Sequence, residues 1–163
     1  MQFEAEVCLV VIKEDGPGKY SILLCDPHGS AQWCAPFGEV LDVENEEEFL
    51  QDPDEIFPVL CLHHLNRMTD LDDESLDDGE ILKYSFHRIP ATSESLSRIV
   101  FSYWTMIDKD REKIVAKALK KKKGNVAFFP YAPLGEVGLP EMMDPMQRYI
   151  IDQVMSHFNQ RDN

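Results

Sequence analysis

Acidic side chains are concentrated in one stretch of the sequence, from Glu39 to Glu80. This stretch holds sixteen Asp and Glu residues and a single base, Arg67, so its charge is −15. The whole chain carries −14, which leaves the other residues nearly neutral at +1. Such a field repels nucleic-acid backbones and favours cations or a basic partner protein. General nucleic-acid binding is therefore not expected, and the fold has to accommodate a large solvated acidic surface.

The remaining composition is that of one globular domain. The chain has 163 residues, 44% of them hydrophobic, which is enough to build a core. No apolar run approaches the roughly 20 residues that span a bilayer. The first residues carry no basic segment typical of a secretory signal. We therefore expect an intracellular, cytoplasmic protein without membrane association.

The four cysteines show neither the clustering nor the short paired spacings of a zinc site or a disulfide framework. They are predicted to be small buried hydrophobic residues in a reducing compartment: Cys8, Cys25, Cys34 and Cys61.

Apolar runs separated by turn residues predict the order β-β-loop-helix-β-β-helix-β-helix. Asp52 followed by Pro53 is typical of a helix start, and Pro58 either kinks this helix or restarts it near residue 57. The run Lys120 to Lys123 complements the dipole at the end of the second helix, although it could also contact phosphates or an acidic partner. Strands are predicted at 3–13, 20–25, 81–89, 99–107 and 126–129, and helices at 52–68, 108–123 and 141–158.

A short motif lies just before the acidic stretch. Trp33, Pro36 and Gly38 have the spacing W-x-x-P-x-G, and Gly38 is followed after five residues by Glu44. These residues resemble the entry to the Nudix box, which reads G-x5-E-x7-R-E-U-x-E-E-x-G-U with U a bulky apolar residue. If eleven extra residues follow Glu44, the R-E-U-x-E-E core falls on residues 63–68, His-His-Leu-Asn-Arg-Met.

The order of elements also matches the Nudix family over nearly the whole chain. The resemblance implies an α/β fold, a Nudix-like α/β/α sandwich with a mixed sheet. It further implies a single Nudix-like domain over residues 1–163, with an acidic insertion at about 45–62 and an acidic loop at 70–80.

Nudix hydrolases cleave a nucleoside diphosphate linked to another group, and glutamates of the box helix bind the divalent metal. Carboxylates three or four residues apart share one helical face, and their oxygens suit a hard cation. Here the matching positions hold His64, Arg67 and Met68, and the box arginine is His63. Arginine cannot ligate a metal, and a thioether does not suit magnesium. The standard metal site is therefore predicted to be absent, and the two histidines form a partly solvated helix face or a substitute transition-metal site.

The predicted function is a non-catalytic nucleotide-binding or protein-interaction module. The alternative is an active, divalent-metal-dependent pyrophosphohydrolase in which displaced carboxylates of the acidic stretch replace the lost ones, with Mg²⁺ as its cofactor. In that case Glu44 and His64 are the candidate catalytic residues. The acids before the helix could instead form a solvated loop. The residues predicted to bind a ligand are Trp33, Phe37, Gly38 and Trp104, although Tyr103-Trp104 and Phe128-Phe129 could equally be core.

Overall fold

The computed structural model describes residues 3–40, 53–69, 80–94, 96–120, 125–132, 138–140 and 143–161. Within these ranges the chain forms six strands and three helices. The strands are β1 (Phe3–Gly16), β2 (Lys19–Cys25), β3 (Phe37–Glu39), β4 (Leu82–Ile89), β5 (Ser97–Ile107) and β6 (Val126–Pro130). The helices are α1 (Pro53–Thr69), α2 (Lys109–Lys120) and α3 (Pro145–Arg161). None of these helices is both long and apolar enough to cross a bilayer.

The strands form one mixed sheet in the order β4-β5-β1-β2-β6, with β3 paired to β1 outside this path. Strands β1 and β5 are parallel, and the other pairs are antiparallel. A parallel pair needs a long crossover connection, and the chain between β1 and β5 includes β2, β3, α1 and β4. The predicted mixed sheet is confirmed.

The central strand β1 is apolar on both faces, so it separates two hydrophobic clusters. Alternate residues of a strand point to opposite faces. Val7 and Leu9 lie in one cluster with residues of α1 and α2, whereas Cys8 and Val10 lie in the other with residues of α3. Helices therefore cover both faces of the sheet. This arrangement confirms the predicted α/β/α sandwich.

Several elements differ from the sequence prediction. Of the two predicted effects of Pro58, a restart near residue 57 is not seen, because α1 runs unbroken from Pro53 to Thr69. Helix α3 begins at Pro145, not at 141, because the carboxylate of Asp144 accepts the N–H of Met146 at 3.0 Å and caps it. Strand β3 was not predicted; its three residues are extended because Gly38 pairs with Val7.

The acidic stretch is only partly within the described ranges. Residues 41–52 and 70–79 lie outside them, and so do Lys121, Lys122 and Lys123. Residues 53–62, which were predicted to be part of an insertion, belong to α1, and Phe57 and Cys61 of that segment are buried in the core. The single domain over the whole chain stays a prediction.

Candidate functional site

Helix α1 meets strand β3 at Gly38. The ring of His64 lies so close to Gly38 that a Cβ there would come within 2.2 Å of its atoms. Only 4% of His64 is exposed, and its Nε2 lies 3.0 Å from the carbonyl oxygen of Glu39. Glycine is required at this position because the ring occupies the space that any side chain would need.

The other two residues that the resemblance predicted at box glutamate positions also contact the β3 backbone. Nη2 of Arg67 donates to the carbonyl oxygen of Phe37 at 3.5 Å and lies 3.4 Å from Nδ1 of His64. The N–H of Phe37 points at Sδ of Met68 at 3.5 Å. His64, Arg67 and Met68, which the sequence resemblance predicted at the positions of metal ligands, therefore pack α1 against β3.

The surroundings of His64 favour its neutral form. Burial lowers its pKa, and the nearby positive charge of Arg67 lowers it further, against the opposing effect of the hydrogen bond to the Glu39 carbonyl. In the tautomer that fits both contacts, Nε2–H donates to the Glu39 carbonyl and Nδ1 accepts from Arg67. A proton on Nδ1 would face the guanidinium and break this contact.

The folded protein should therefore lose stability in acid through His64. Because the folded-state pKa lies below the ordinary value of 6.5, the unfolded chain binds a proton first. The contribution of His64 to stability is complete above pH 6.5, and the free energy of unfolding falls as the pH drops below 6.5. Urea unfolding at a series of pH values measures this slope. The control is His64→Gln, whose amide can still donate to Glu39 but does not titrate. Burial also lowers the pKa of His87. Its contribution is the same in both proteins, so the difference between their two pH slopes reports His64 alone. Equal slopes in the two proteins would contradict the assignment.

The donor set at these positions does not fit Mg²⁺. A hard cation takes oxygen ligands, and here the side chains offer an imidazole, a guanidinium and a thioether. In the parts of the chain that the structure covers, no three His, Cys, Asp or Glu residues are grouped as a metal site would require. Glu44, the candidate catalytic acid of the box entry, lies outside the described residues.

A cleft of about 480 Å³ opens between the loop that leads into β3 and the start of α3. Trp33 and Phe37 line one side, and residues 143–145 and Gln147 line the other. The ring of Trp33 packs edge to face on Phe129, with 4.8 Å between centroids. This contact holds the indole in place at the cleft wall.

The two walls of the cleft are joined by a buried hydrogen bond. The N–H of Ala35 donates to Oε1 of Gln147 at 2.8 Å. At the other end of the loop, the carboxylate of Asp26 accepts the N–H groups of Ser30 and Ala31 at 3.2 and 2.9 Å. A carboxylate that accepts backbone N–H groups fixes a loop, so the cleft is preformed.

The structure brings together only some of the predicted ligand-binding residues. Trp33 and Phe37 line the cleft, whereas Gly38 is covered by His64. Trp104 is 6% exposed and packs on Phe158 of α3, with ring centroids 5.6 Å apart. It faces α3 because it stands beside Val10 on the parallel strand β1. Gln147 was not predicted, since nothing in the sequence connects it to a loop 112 residues away.

Comparisons with known proteins identify the fold. No protein-family model matches the chain, and no curated protein sequence matches it. Solved structures do match, but their sequence identities to this chain are so low that the matches inform on the fold alone. They are NrtR from Shewanella oneidensis (TM-score 0.61, 14% identity, 97% of this chain and 64% of NrtR) and a MutT/nudix family protein from Enterococcus faecalis (TM-score 0.63, 12% identity, 98% and 63%). A third is a mutT/nudix family protein from Listeria innocua (TM-score 0.56, 15% identity, 98% and 94%).

The chain spans less than two thirds of the length of NrtR and of the Enterococcus protein. NrtR has also been solved in complex with a 27mer DNA, and this chain covers 63% of NrtR in that complex. Each of these matches extends over 96–98% of this chain. The chain therefore has the Nudix-like fold.

Proposed function

We propose that this chain is a non-hydrolytic Nudix-fold module that binds a nucleotide in the cleft beside Trp33. The observation that carries the proposal is the contact between α1 and β3. His64, Arg67 and Met68, the residues that the resemblance aligns with the box glutamates, contact backbone atoms of Phe37 and Glu39. A diphosphate bound there would meet no side-chain carboxylate on this helical face to hold its metal.

The cleft supports nucleotide binding by its size and its walls. Ligand pockets typically measure about 300–1,000 Å³ and combine apolar walls with a few polar groups. This cleft measures about 480 Å³ and has Trp33 and Phe37 on one side. An aromatic wall can stack on any base. His28, Gln32 and Asp144 supply the polar groups at its edge.

DNA binding, which NrtR shows in its complex with a 27mer, is not proposed for this chain. The net charge of −14 repels the phosphate backbone, whose contacts supply most of the affinity for duplex DNA. A free nucleotide carries few charges and is repelled far less.

Calorimetric titration with a panel of nucleoside mono-, di- and triphosphates and diphosphate-linked dinucleotides tests the proposal. We expect heat of binding for at least one member, with equal affinity in Mg²⁺ and in a chelator, and no release of phosphate. Robust metal-dependent release of phosphate or nucleoside monophosphate would overturn it in favour of the pyrophosphohydrolase with displaced carboxylates. A panel without any binding would overturn the choice of ligand.

Trp33→Ala should reduce the affinity for the bound nucleotide by about tenfold, because stacking of a base on an aromatic ring contributes about 1–3 kcal/mol. The same titration measures the change. Trp104→Phe is the matched control, since Trp104 packs in the core and should leave the affinity unchanged. Unchanged affinity in Trp33→Ala would remove the indole from the binding site.

A further inference from the structure

Cys25 and Cys34 face each other across an antiparallel bridge. Cys25 ends β2, and Cys34 lies in the loop that leads to β3. Each N–H donates to the other residue's carbonyl oxygen, at 2.8 and 2.9 Å. Residues that exchange both hydrogen bonds are directly opposite, with Cα atoms about 5.5 Å apart. A disulfide spans Cα separations of about 4.4–6.8 Å, so the backbone already holds the pair at a distance that a disulfide can bridge.

The side chain of each cysteine also contacts the other residue. Each thiol donates to the carbonyl oxygen of the opposite residue, at 3.3 Å for Cys25 and 3.4 Å for Cys34. Both residues are free cysteines in the structure. The two thiols therefore lie on facing backbone segments, each beside the other residue.

The two residues differ in their access to solvent. Cys25 is fully buried, whereas Cys34 is half-buried and lines the cleft beside Trp33. The interaction between the two side chains lowers the pKa of Cys34 and, together with burial, raises that of Cys25. A small oxidant that enters the cleft thus meets the sulfur with more thiolate character first.

We propose that Cys25 and Cys34 form an oxidisable dithiol, which hydrogen peroxide converts to an intramolecular disulfide at the wall of the cleft. The Cys34 thiolate attacks one peroxide oxygen, the O–O bond breaks, and the departing hydroxide takes up a proton to become water. The sulfur of Cys25 then attacks the sulfur of the resulting sulfenic acid and displaces its hydroxyl group. The hydroxyl group takes up the Cys25 proton and leaves as a second water. Two thiols and one peroxide give one disulfide and two waters.

The other two cysteines serve as internal references. Cys8 and Cys61 are each 1% exposed, and burial raises the pKa of both thiols, that of Cys8 to about 12. Both should stay reduced while the dithiol reacts, because a protonated and inaccessible thiol reacts slowly with peroxide.

Proteolysis at aspartate distinguishes every possible pairing. Cleavage before Asp15, Asp26 and Asp42 puts Cys25 in peptide 15–25 and Cys34 in peptide 26–41. Cleavage before Asp54 and Asp70 puts Cys61 in peptide 54–69, and Cys8 remains in peptide 1–14. The intact protein is treated with a small molar excess of hydrogen peroxide, alkylated under denaturing conditions, digested and weighed by mass spectrometry.

We expect peptides 15–25 and 26–41 to appear as one species, two hydrogens lighter than their sum, while the peptides of Cys8 and Cys61 carry the alkyl label. Dithiothreitol should separate the pair. Four alkylated cysteines, a sulfinic acid on Cys34 without cross-linking, or a disulfide that includes Cys8 or Cys61 would each overturn the proposal.

Two variants separate the roles of the partners. In Cys25→Ser, Cys34 has no resolving thiol, so we expect sulfinic acid on Cys34 in excess peroxide and no disulfide. Cys61→Ala is the control and should form the 25–34 disulfide as the wild type does. Disulfide formation in Cys25→Ser between Cys34 and another cysteine would contradict the assignment of Cys25.

Discussion

Replacement of Gly38 by alanine should lower the free energy of unfolding by about 3 kcal/mol. The added methyl group would lie 2.2–2.4 Å from three atoms of the His64 ring, distances that no packed pair tolerates. The ring cannot simply rotate away, because 96% of the residue is buried and its Nε2 donates to the Glu39 carbonyl. Relief of the clash therefore separates α1 from β3, and this hydrogen bond is lost with it. Urea unfolding measures the change.

Two further variants show whether the clash with His64 is the cause. Gly16→Ala is the matched glycine control, since a Cβ at Gly16 meets nothing within 4 Å and should be nearly neutral. His64→Ala removes the ring, so Gly38→Ala should cost much less in that background. If the two changes are additive, the ring is not what excludes a side chain from position 38.

Much of the fold could be predicted because the apolar pattern of the strands is strong. The run from Phe3 onward and the segment 99–107 are β-branched and aromatic, and both are found as the central parallel strands. Strand β3 could not be predicted, because three residues with a glycine at the centre have no periodicity of their own. It exists because Gly38 pairs with Val7, a tertiary contact that the local sequence does not encode.

The candidate site was predictable only in part. The spacing of the box identified the helix positions that meet Gly38, and His63 is exposed as a solvated helix face requires. The spacing of the box did not indicate that His64 is buried, because its burial depends on the approach of the Gly38 backbone, which belongs to β3. The cleft was missed for the same reason. Gln147 and Ala35 meet across 112 residues, and an isolated glutamine in an amphipathic helix carries no sign of that role.

The three positions that the resemblance aligns with the box glutamates allow a test of the proposed loss of the metal site. His64, Arg67 and Met68 are spaced at i, i+3 and i+4, so they share one helical face. Opposite them, the carbonyl oxygens of Phe37 and Glu39 now accept from Arg67 and His64. Glutamate at all three positions would remove both donors and place carboxylates against carbonyl oxygens. Without a cation these carboxylate and carbonyl oxygens would repel one another, whereas together they are suitable ligands for Mg²⁺.

We therefore expect the triple variant His64→Glu, Arg67→Glu, Met68→Glu to be strongly destabilised in a chelator and rescued by Mg²⁺. At a Mg²⁺ concentration 100 times its Kd the gain is about 2.7 kcal/mol, which raises Tm by roughly 5–10 °C. Differential scanning calorimetry with and without Mg²⁺ measures it. The matched control carries glutamine at the same positions and should show no rescue, because its amides can donate to the carbonyls but bring no charge. If the wild-type Tm rises with Mg²⁺ as much as that of the glutamate variant, the protein binds the cation without these carboxylates, and the non-hydrolytic function loses its main support.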